Sequence, residues 1–153
     1  SEGKDDSPTS MFMMAAREML ISGAVGVVDI TPGEKSSAPR DMVGYCDAHN
    51  YYFLGKTLYK YVSKFYNDQN RIFPLGENAL NKALREEGIV EQWDTAQGKT
   101  GKLKTIGGKP IRLIWIPRWK IDNTTKPAPS GKQTTMNLDE FTEVQDDELP
   151  WQE

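Results

Sequence analysis

Glu77-Asn-Ala-Leu-Asn-Lys-Ala-Leu-Arg-Glu-Glu87, closed by Gly88 and followed by Gly98-Lys-Thr-Gly-Lys-Leu-Lys-Thr-Ile106, Gly107-Gly108 and Lys109-Pro-Ile-Arg-Leu-Ile-Trp-Ile116, is the stretch whose reading decides the fold. At the helical period, Ala79, Leu80, Ala83 and Leu84 share one side over 77–87, while Asn78, Asn81, Lys82 and Arg85 gather on the other. One side packs and the other is left to meet a partner. Gly88 suits the left-handed residue that closes a helix, after which Ile89, Val90 and Trp93 return the chain to the core. Two β-rich runs on either side of Gly107-Gly108 predict a hairpin over 98–116. It carries Lys99, Lys102, Lys104 and Lys109, with Arg112 alternating against Ile111 and Leu113.

A polar-faced helix followed by a basic hairpin predicts an α+β winged helix-turn-helix: three helices, a small antiparallel sheet and a basic hairpin wing. The upstream chain supplies the remaining elements. Thr9 or Ser10 can cap a first helix running to Ser22, whose apolar positions Phe12, Ala15, Ala16, Met19 and Leu20 form one stripe. Gly23 ends it. Ala24–Ile30 and Met42–Cys46 read as strands that can pair across a Pro/Gly/Ser-rich loop, and Asp47–Asn50 turns into a third strand at Tyr51–Leu54. A second helix over 56–67 carries the stripe Leu58, Tyr61, Val62 and Phe65, with Lys56, Lys60 and Lys64 in a separate row. Arg118–Ile121 either completes the last strand or packs back on the body.

The chain divides into a disordered leader (1–9), the winged-helix domain (10–121), and a flexible linker with an acidic tail (122–153). Its 153 residues suffice for one core, and Ser1 in place of an initiator Met predicts a fragment or trimmed chain. No apolar run approaches the roughly 20 residues that a membrane-spanning helix needs, and no signal sequence opens the chain, so a cytoplasmic protein is expected. One cysteine excludes an internal disulfide, and Cys46 and His49 are too few soft ligands for zinc; their spacing reads as coincidence. No metal, cofactor or catalytic set is expected, because nothing supplies a nucleophile, base and orienting group together.

Net charge is -3, but it is unevenly spread. Residues 1–53 carry 4 basic and 8 acidic side chains, 54–121 carry 13 and 6, and 122–153 carry 2 and 8. A basic middle third can meet phosphates whatever the total charge, because counterion release depends on the cations that the nucleic acid touches.

Val43-Gly-Tyr, Tyr51-Tyr-Phe-Leu, Phe73-Pro-Leu, Leu84-Arg-Glu-Glu-Gly-Ile-Val90 and Gly108-Lys-Pro-Ile-Arg-Leu113, in this order of elements, give a more particular likeness. Together they resemble the C-terminal winged-helix domain of primase-helicase proteins of phages and mobile genetic elements, including the MCM-like Cch helicases. The resemblance covers about 11–121. It implies a DNA-binding accessory piece of a replication helicase whose motor lies elsewhere, since no phosphate loop is present here. Separately, Asp146, Asp147, Glu148, Leu149, Pro150 and Trp151 are similar to the acidic tip of single-stranded DNA-binding proteins, which implies docking on a replication protein partner. The departure is at the end, where Gln152 and Glu153 follow the aromatic residue. The same acidic tail can instead fold over the basic body.

Two functions follow. In the first, Asn78, Asn81, Lys82 and Arg85 enter or lie along a DNA groove while Lys99, Lys102, Lys104, Lys109 and Arg112 meet phosphates. In the second, the winged helix is a protein–protein docking module within a replication complex. Neither involves catalysis or a membrane.

Overall fold

The computed structural model describes residues 7–127. Helix α1 (Pro8–Ser22) starts at least two residues earlier than expected: Ser7 accepts a hydrogen bond from the Ser10 amide, and Pro8 occupies the first turn, where a missing N–H costs nothing. Thr9, one of the two expected caps, is instead buried and donates to Glu87 at 2.5 Å, tying α1 to the end of the third helix. Gly23 (φ 83°) closes α1 in the left-handed conformation. Phe12, Ala15, Ala16 and Met19 are buried as the stripe predicts, with Thr9 and Met11 added and Leu20 only partly covered.

The strands are β1 (Gly26–Asp29), β2 (Met42–Cys46), β3 (Asn50–Phe53), β4 (Lys102–Ile106) and β5 (Lys109–Pro117). Their order in the sheet is β1-β2-β3-β5-β4. β1 and β2 pair, but in parallel, so the sheet is mixed rather than purely antiparallel. The remaining pairs are antiparallel. Gly44 (φ 155°) sits where a Cβ would run into the Tyr52 carbonyl oxygen, so only glycine lets β2 lie this close to β3. The hairpin turn has Gly107 (φ 58°) and Gly108 (φ 83°) both left-handed, as a two-residue turn matched to strand twist requires. Its first strand begins at Lys102, because Asp94 and Lys99 close a separate small loop ahead of it.

Helix α2 (Gly55–Asn67) buries Leu58, Val62 and Tyr66, leaving Tyr61 and Phe65 only partly covered. Tyr66 replaces Phe65 as the deepest aromatic because its hydroxyl reaches the Met11 carbonyl at 2.7 Å and so loses no hydrogen bond in the core. Helix α3 (Glu77–Glu86) buries Leu80 and Leu84. Ala79, expected on the packed side, is exposed, because the buried stripe of so short a helix is only two leucines wide. Gly88 (φ 77°) then lets the Ile89 and Val90 amides return to the Leu84 carbonyl. Arg118–Asp122 forms a short helix, α4, which packs against α1 rather than extending the sheet.

One face of the sheet supplies the core. Cys46, Tyr51, Phe53, Ile114 and Ile116 join the α1, α2 and α3 residues in a single cluster. Tyr52 and Leu113 are equally buried but lie outside it, on the opposite face. Among the described residues no helix is long and apolar enough to cross a membrane. Asp146–Trp151, the proposed docking tip, falls outside the described residues.

Candidate nucleic-acid interface

Helix α3 stands beside the β4–β5 hairpin, and a cleft of about 440 Å³ opens between them. Asn78, Asn81, Lys82 and Arg85 line it from the helix, Lys99 and Arg112 from the hairpin side, and Lys56 from the start of α2. Six of the nine residues expected to contact DNA thus share one surface. Thr100 holds the two walls together: it is buried, and its hydroxyl donates to the Asn81 carbonyl at 3.1 Å.

The cleft cations differ in how much of their charge is committed. Arg112 is held on both sides, by Asp94 at 3.1 Å and the Gly101 carbonyl at 2.7 Å, so its guanidinium braces the loop as well as lining the cleft. The Gln97 amide and Arg112 together keep the Asp94 carboxyl below its ordinary range, which leaves it ionised as that partner. Arg85 lies over the Trp93 ring at 4.8 Å, with an enclosed Nε that has no partner among the described residues. Lys56 pairs with the half-buried Glu77 at 3.3 Å and Lys82 reaches Glu86 at 3.9 Å, each through an exposed lysine, and such surface pairs contribute at most about 1 kcal/mol. These two lysines are easily drawn to a phosphate instead. Lys99 forms no ion pair among the described residues.

The other three expected contacts point elsewhere. In the antiparallel register Lys102 faces Leu113, Lys104 faces Ile111 and Ile106 faces Lys109, so Lys102, Lys104 and Lys109 share the face that also carries Leu113 and Trp115. That face is opposite the core, whereas Arg112 and Ile114 lie on the helix side. The single basic surface expected of the hairpin is therefore two.

On the outer face Trp115 stands next to Tyr52 in edge-on contact, with ring centroids 5.0 Å apart. The Lys102 ammonium lies 4.8 Å from the Trp115 centroid, and Lys104 lies 4.6 Å from that of Tyr52 and 5.2 Å from that of Trp115. Tyr52 donates to Asp47 at 2.6 Å, and burial together with that bond pushes its hydroxyl up to about 12. Burial works against ionisation of Asp47, but the bonds from Tyr52, Asn50 and His49 outweigh it and hold the carboxyl below its usual value. Nothing in the sequence marks Thr100 or Asp94. Trp115 was legible, since Lys109, Ile111, Leu113 and Trp115 alternate on one face of a strand.

A third surface is a groove that Met13 and Met14 of α1 line with Ile89 and Trp119. Cys46 is buried with Arg118 3.8 Å from its sulfur, and His49 is exposed. No protein-family model, no curated protein and no solved structure matches the chain.

Proposed function

We propose that this chain is a non-enzymatic DNA-binding winged-helix module, the C-terminal accessory domain of a phage or mobile-element replication helicase or primase. The order helix, strands, helix, helix, hairpin supports this reading, in which α3 would serve as recognition helix and β4–β5 as wing. The observation that carries the reading is convergence: the polar side of α3, Lys99 and Arg112 meet in one basic cleft. Asn78 and Asn81 are suited to base edges, while Lys56, Lys82 and Lys99 suit phosphates.

The test is fluorescence anisotropy of a labelled duplex with the full chain across a salt series, comparing Lys82→Ala plus Lys99→Ala with the parent. Loss of two phosphate contacts should weaken binding and make the slope of log affinity against log salt shallower by roughly 2. An unchanged affinity and slope would remove the cleft from consideration. The methionine-lined groove favours the second reading, a docking module for a replication protein. That reading takes over if the full chain binds no duplex at low salt.

A further inference from the structure

We propose that the outer face of the sheet, around Trp115 and Tyr52, is a second site that holds single-stranded DNA by base stacking and phosphate contact. The inference rests on the nucleic-acid reading only for the class of partner; its residues are separate from the cleft. Three cations, Lys102, Lys104 and Lys109, project from this face, and among the described residues none forms an ion pair. Two of them lie over aromatic rings. Between and beside them are Ile106, Ile111 and the partly exposed Tyr45 and Trp115.

Lysine stems are flexible and cover apolar surface while keeping the ammonium near water. When a strand arrives, the ammoniums can turn from ring to phosphate, and the uncovered Trp115 face takes a base in their place. The exchange leaves neither the cation nor the ring without a partner. The exposed part of the Trp115 ring selects unpaired bases, because in a duplex the base faces are already stacked on one another.

The hydrogen-bonding groups of these rings are already used. The Trp115 Nε1 donates to the Lys102 carbonyl at 3.1 Å, and the Tyr52 hydroxyl is held by Asp47. Little is left on the rings to read base edges or a 2′-hydroxyl, and Ile106 and Ile111 offer an apolar floor to a deoxyribose. Binding should therefore tolerate any sequence and favour DNA.

The experiment uses the full chain with labelled dT12, U12 and a 12-base-pair duplex, measured by anisotropy. Two variants are compared with the parent, Lys102→Ala plus Lys104→Ala and, separately, Trp115→Leu, with circular dichroism melts confirming that each is folded. Each variant should weaken dT12 binding about tenfold or more. Duplex affinity should stay within about twofold, because the cleft is untouched. The site is overturned if dT12 does not bind, if its affinity is the same in both folded variants, or if Lys82→Ala plus Lys99→Ala removes it instead. Tighter binding of U12 than dT12 overturns the assignment to DNA. Loss of duplex binding alone, with dT12 behaviour as expected, would sink the cleft and leave this surface standing.

Discussion

The two sides of the β4–β5 hairpin use the same residue types for opposite purposes. On the helix side, most paired cations are set against carboxylates, Arg112 with Asp94, Lys82 with Glu86 and Lys56 with Glu77, and only Arg85 lies over a ring, that of Trp93. On the outer side, Lys102 and Lys104 are set against the rings of Trp115 and Tyr52. A carboxylate competes directly with an incoming phosphate for the same charge, whereas a ring gives up its lysine and becomes a stacking surface itself. The helix side is consequently a charged cleft with two asparagines to orient a partner, and the outer side is a cationic face around the partly exposed Trp115.

The strongest way to break this comparison is at Gly44, where the close approach of β2 to β3 seats Tyr52. In Gly44→Ala a Cβ meets the Tyr52 carbonyl oxygen and lies 2.9 Å from the Phe53 Cα, in a backbone conformation that alanine resists. The variant should lose about 1–3 kcal/mol of unfolding free energy in denaturant titration. Single-strand binding should fall by more than duplex binding, because Tyr52, whose carbonyl takes the clash, carries its ring on the outer face. A smaller effect is expected at Thr100→Val, which keeps the buried volume and removes the bond to the Asn81 carbonyl. It should cost about 1 kcal/mol of stability and loosen the cleft, weakening duplex binding while leaving dT12 unaffected.

The mildest effect concerns pH. Tyr51 and Tyr52 are both pushed up to about 12, Tyr51 by burial and its 2.6 Å bond to Asp122, Tyr52 by burial and its bond to Asp47. A raised folded-state value means that the folded protein holds the proton more tightly. The associated stability is therefore complete below pH 10 and is lost as pH rises from about 10 to about 12. Tyr61 and Tyr66 are also raised, so absorbance at the tyrosinate band should show Tyr51 and Tyr52 as the last of four late tyrosines, and Tyr52→Phe should remove one of that last pair. Early ionisation of both would mean that neither hydroxyl is held as described.

Much of the architecture was readable from local pattern. The α1, α2 and α3 segments follow apolar stripes at the helical period, and Gly23, Gly88 and Gly107-Gly108 stop or turn the chain where a left-handed residue is required. The cap of α1 was misplaced because Ser7, Thr9 and Ser10 are all competent caps, and Pro8 fixes the choice only once its place in the first turn is known. Tyr66 rather than Phe65 takes the core because a carbonyl of α1, distant in sequence, is there to receive its hydroxyl.

For the candidate sites, alternation along β4 and β5 already separates Lys102, Lys104 and Lys109 from Arg112, since neighbouring strand residues point to opposite faces. The sequence by itself determined the two basic strands, the glycine turn between them and the polar stripe of α3; taking all five hairpin cations as one surface overlooks that alternation. Only the tertiary structure decided which side turns toward α3. That choice depends on the register of β5 against β3, which pairs Ile114 with Phe53 and Ile116 with Tyr51 and commits those residues to the core. Burying them places Arg112 beside the helix and sends the three lysines outward, because a register slip of one residue would expose every one of those apolar side chains.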